Sequence, residues 1–131
     1  MSVEGKQIAS NLAFSAAAGA AIWALAPALT GHTEPWDSDG LYYPLALFAA
    51  GIVLGSIGPR AIWAHAVGIV LGQLLYMVIF LPLGPLLLLG VVFLIGYSVL
   101  TLGGAGLGVA FRPTGKWKCR GKQDAESDRK T

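Results

Sequence analysis

Charge is what this sequence has least of. Lys, Arg, Asp and Glu make up 12% of the 131 residues, about half the share found in a soluble globular domain. Their placement restricts the protein more than their number. Arg60 is the only charged side chain between Asp39 and Arg112. Uncharged apolar stretches of that length call for a non-aqueous solvent. Cysteine is scarce too. Cys119 stands alone, which excludes an intramolecular disulfide and any cysteine-cluster metal site. No long apolar run contains Asp, Glu, Lys or Arg, so the ionisable group that ion-coupled pumps place at mid-membrane is missing. Nucleophile–base pairs, phosphate loops and paired carboxylates are also missing at membrane depth. No catalytic residue can be named, and the chain is not expected to be an enzyme.

What the sequence has is apolar length. Hydrophobic residues make up 55% of it. The central stretch is Ala61 to Leu81, bounded by Arg60 and Pro82. Its roughly 21 residues make about 31 Å of helix, one bilayer hydrocarbon core. Three further runs flank it: 8–29, 41–56 and about 86–109. Gly58-Pro59 and Pro82-Leu83-Gly84-Pro85 make the tight turns. The sizeable loop, 30–40, holds Glu34, Asp37 and Asp39 without Lys or Arg. Trp36, Tyr42 and Tyr43 flank it as candidate headgroup anchors. The predicted fold is all-α: one compact bundle of four antiparallel transmembrane helices, with both termini cytoplasmic. Residues 1–7 form a cytoplasmic start, 8–110 the transmembrane domain, and 111–131 a basic, mobile cytoplasmic tail.

Orientation follows from the cations. With four spans, the N-terminus, the Arg60 turn and the tail share one side, and all nine Lys and Arg residues fall there. The positive-inside rule makes that side cytoplasmic, in a plasma or inner membrane. Arg60, Arg112, Lys116 and Lys118 carry the topology signal, and the stretch around Trp117 suits an anionic leaflet. Nucleic acid is not an expected partner. A signal-peptide reading of the first run meets three objections: Pro27 directly after Ala24-Leu25-Ala26, the acidic Glu4, and the length of the run.

Glycine supplies the packing faces. Eighteen glycines would weaken soluble helices, but in lipid small residues let backbones approach closely. Helical spacing puts Asn11, Ser15, Gly19, Ile22 and Ala26 on one stripe of the first run. Pro44, Phe48, Gly51, Gly55 and Gly58 share a stripe of the second, and Gly90, Tyr97, Thr101, Gly104 and Gly108 one of the fourth. Gly51-Ile-Val-Leu-Gly55 recurs as Gly68-Ile-Val-Leu-Gly72. The second and third spans, neighbours across the Gly58–Arg60 turn, thus both need a flat face.

Few polar residues lie in the spans. His65 shares a stripe with Gly68, Ile69, Gly72 and Tyr76, flanked by Gln73. Two readings compete. Asn11, His65, Gln73, Tyr76 and Thr101 line an intramembrane polar track, or they hold helices together by hydrogen bonds. One imidazole does not make a bis-histidine haem, since His32 lies in the opposite loop, and no cofactor is expected. His32, Glu34, Asp37 and Asp39 have ligand-type side chains, but Tyr42-Tyr43-Pro44 follows where a calcium loop needs further ligands. No metal site is assigned.

In size and helix count the chain resembles the small multidrug resistance transporters and the dimeric fluoride channels. It lacks the buried first-helix glutamate of the former, offering Asn11 alone, and the polar pore arrangement of the latter. The resemblance covers helix count only, so no residue role carries over. The expected function is a non-catalytic accessory or scaffold subunit of a membrane complex, contacting other membrane chains. The alternative is a passive channel or uncharged-solute transporter acting as a homo-oligomer.

Overall fold

A computed structural model describes residues 2–35, 40–82, 84–85 and 87–112. The described residues form four helices: α1 (Val3–Thr30), α2 (Tyr42–Ile57), α3 (Ile62–Phe80) and α4 (Leu87–Ala110). Three of them, α1, α3 and α4, are long and apolar enough to cross a membrane, and α2 is a shorter apolar helix of 16 residues.

Local chemistry sets the ends. α1 starts at Val3, within the polar segment, because Ser2 caps it by accepting the Gly5 N–H at 3.2 Å and Glu4 sits in the positive first turn. It stops at Gly31, whose φ of 78° is left-handed and whose N–H donates to the Pro27 carbonyl. Pro27 lies inside α1, in its last turn. The α2–α3 turn contains the one left-handed non-glycine among the described residues, Ala61 with φ 56°.

Packing joins helices that are next but one in the chain. The most extensive contacts are α2 with α4 and α1 with α3, whereas α2 and α3 touch little. The two Gly-Ile-Val-Leu-Gly segments therefore do not face each other. Built side-chain positions at Gly51 and Gly55 run into the backbone of Thr101 and Ala105 in α4. Those at Gly68 and Gly72 run into the backbone of Leu12 and Ala16 in α1. Gly19 meets the Ile69 backbone, Gly104 the Phe48 backbone and Gly108 the Ile52 backbone. The short α2–α3 turn makes those helices sequence neighbours, but their flat faces point to different partners.

The meeting positions advance in step within each pair. Leu12, Ala16 and Trp23 of α1 meet Gly68, Gly72 and Tyr76 of α3. Tyr43, Phe48 and Ile52 of α2 meet Tyr97, Gly104 and Gly108 of α4. One end of the molecule brings the start of α1 to the α2–α3 turn, where the Arg60 guanidinium donates to Gln7 Oε1 at 3.3 Å. The other end brings Glu34 beside the α3–α4 turn. The buried core holds Trp23, Tyr43, Leu47, Ile69, Met77 and Leu94.

Candidate polar sites in the helix bundle

Five polar side chains are buried among the described residues: Asn11, Ser15, His65, Gln73 and Thr101. Four of them separate into two groups.

The first group fastens the α2–α3 turn. Asn11 Nδ2 of α1 donates to the Arg60 carbonyl at 2.8 Å, and a side chain at Gly58 would collide with the Asn11 amide. His65, one turn into α3, lies 2.8 Å from the Gly58 carbonyl through Nε2 and 2.8 Å from Ser15 Oγ through Nδ1. A carbonyl can only accept, so Nε2 carries the proton and donates. Nδ1 and the Ser15 hydroxyl share the second bond. Each contact uses a group that the turn leaves without an intrahelical partner, since carbonyls at the end of α2 have no helical donor. Two carbonyls are satisfied from inside the bundle, on either side of Pro59. His65 is only 2% exposed, and an unpaired ring there would cost more than the bonds return.

The second group sits among aromatic rings. Tyr43 OH donates to Gln73 Oε1 at 2.9 Å. The Tyr43 ring packs edge-on against Tyr97 with centroids 5.0 Å apart, and the Tyr76 ring lies 6.0 Å from Trp23. Side chains from all four helices take part in these contacts. Gln73 Nε2 and Thr101 Oγ1 are buried and make no hydrogen bond to the described residues.

The five residues read from the sequence as one polar track do not form one line. Asn11 and His65 belong to the turn. Gln73 belongs to the aromatic cluster, and Tyr76 flanks that cluster, half-buried and stacked towards Phe80 at 4.7 Å. Thr101 bonds to neither group.

Two participants carry little sequence signal. Ser15 lies on the predicted α1 stripe, but nothing local marks it as the partner of a histidine fifty positions away. Tyr43 reads as a headgroup anchor beside Tyr42, yet it is 1% exposed. Adjacent helical residues point about 100° apart, so the two tyrosines cannot share a face. Tyr42, half-buried, donates instead to the Ile22 carbonyl at 2.8 Å.

The other candidates fall into two sets. Arg60 and Arg112 are exposed, and His32 is exposed at the end of α1. Trp36, Asp37, Asp39, Lys116, Trp117, Lys118 and Cys119 lie outside the described residues, as does the tail beyond Arg112. Among the described residues no three His, Cys, Asp or Glu side chains gather into a metal-type cluster. No family model, curated protein or solved structure matches the chain.

Proposed function

We propose that this protein is a multi-pass membrane protein working as a non-catalytic accessory or scaffold subunit. In this reading all four helices cross the bilayer, successive helices run in opposite directions, and both termini are cytoplasmic. Support for the alternation comes from where α1 meets α2. Asn11, early in α1, bonds beyond the end of α2, while Ile22, later in α1, accepts from Tyr42 at its start. Support for the sides comes from Arg60 lying beside Gln7, with Glu34 at the opposite end near the α3–α4 turn.

The observation that carries the scaffold reading is how the buried polar groups are used. Asn11, Ser15 and His65 are committed to carbonyls of the chain's own turn or to each other. Both main helix pairs close to backbone contact at glycine. Such a bundle is built for rigidity and leaves its outer apolar faces for lipid and other membrane chains.

The channel reading retains one specific support, the buried Gln73 Nε2 and Thr101 Oγ1, which have no hydrogen-bond partner among the described residues. The deciding experiment is the native mass of the gently extracted protein, with identification of co-purifying chains, repeated for Gln73→Leu. A defined hetero-complex, weakened in the variant, is the expected result. A pure homo-oligomer whose assembly survives Gln73→Leu while solute flux is lost would replace the scaffold reading with the channel.

A further inference from the structure

A groove of about 660 Å³ opens where α3 passes into α4, within the size range of small-molecule sites. Leu81, Pro82, Leu87, Leu89 and Phe93 supply the apolar part of its walls. Among the described residues one charged side chain lines it, Glu34, and no Lys, Arg or His does. Glu34 is half-buried. A carboxylate is complemented by a cationic donor, and the described lining residues supply none. A ligand can bring that complement.

Chemistry narrows what that complement is. The groove is flanked by exposed Leu88, Leu89 and Val92, a surface that faces acyl chains if α4 spans the bilayer. An occupant arriving there needs an apolar tail for the walls and a cationic head for Glu34. A primary ammonium presents three N–H donors, and charge-assisted bonds to a carboxylate are the strong kind. A quaternary ammonium presents none, and an anionic head is repelled.

We propose that the α3–α4 groove binds one membrane lipid bearing a primary ammonium headgroup, with its tail on Leu87, Leu89 and Phe93 and its ammonium on Glu34. The site rests on the membrane reading above and is independent of the choice between scaffold and channel.

The test is native mass spectrometry of the full-length protein reconstituted with equimolar phosphatidylethanolamine and phosphatidylcholine. The readout is their ratio, because Arg60 and the basic tail offer anionic lipids other contacts. Wild type is expected to retain phosphatidylethanolamine at least fivefold over phosphatidylcholine. Glu34→Gln brings the ratio near one, Glu34→Asp keeps the preference, and Glu4→Gln at the far end leaves it unchanged. A phosphatidylethanolamine with a photoreactive tail, used on wild type, is expected to label the peptide spanning Met77 to Phe93. An equal ratio in wild type and Glu34→Gln overturns the site, as does labelling confined to other peptides. Loss of the chain from carbonate-washed membranes overturns the membrane reading as well. A chain that stays in the membrane without headgroup preference overturns the groove alone.

Discussion

His65 shows how much a single residue contributes to this bundle. Its two ring nitrogens bond to two different elements, one to a turn carbonyl and one to a hydroxyl of α1. His65→Ala leaves the Gly58 carbonyl and Ser15 unpaired in a buried site. It is expected to cost about 2–4 kcal/mol, combining lost partners with lost volume, read as a lower melting temperature in detergent. Tyr43→Phe should likewise lose about 1–3 kcal/mol, because Gln73 Oε1 keeps its burial and loses its donor. Thr101→Val is the contrast. Its hydroxyl has no partner to lose among the described residues, so stability is expected to stay within about 0.5 kcal/mol of wild type or to rise. Ala61 makes a third case. At φ 56° its side chain strains the backbone by about 1–2 kcal/mol. Ala61→Gly relieves this against about 0.4–1 kcal/mol of chain entropy, a small net gain, whereas Ala61→Val should destabilise clearly.

At the scale of the helix, glycine has two roles that composition does not separate. Gly51, Gly55, Gly68, Gly72, Gly104 and Gly108 each hold a neighbouring backbone at close approach, while Gly96 and Gly106 face open space. Gly72→Ala collides with the Ala16 backbone in α1 and is expected to cost about 1–3 kcal/mol. Gly55→Leu and Gly104→Leu should cost more, because α2 and α4 would have to separate. Gly96→Ala and Gly106→Ala meet nothing, and alanine is the better helix former by about 1 kcal/mol, so these variants should melt at or above the wild-type temperature. A melting series in one detergent checks all five. Much of each element was readable in advance. The α1 stripe of Asn11, Ser15, Gly19, Ile22 and Ala26 is the buried face of that helix, joined by Trp23. A 3.6-residue period reports one face whatever lies opposite. Boundaries read less well where a cap decides them, as Ser2 does for α1.

For the whole molecule, sidedness is the property to measure. Cys119→Ser removes the native thiol, and single cysteines at Ser2 and Thr33 then report on opposite ends. Ser2→Cys is expected to react with an impermeant maleimide only after the inner face is opened, and Thr33→Cys in intact cells. The reverse pattern would invert the orientation proposed from the cations. Equal labelling of both in intact cells would count against a spanning α1.

Sequence by itself determined the apolar lengths, the turns at Gly58-Pro59 and Pro82–Pro85, and which face of α1 packs. These depend on local quantities: hydrophobic run length, backbone restriction at proline, and helical period. Tertiary structure decided the partners. Two copies of Gly-Ile-Val-Leu-Gly present the same flat surface, yet one meets α4 and the other α1. A face without side chains carries no label for its partner, and close packing between helices is short-ranged and non-directional. The same limit hid the pairing of Ser15 with His65 and of Tyr43 with Gln73. Those bonds exist only once four helices have fixed their rotations about one another.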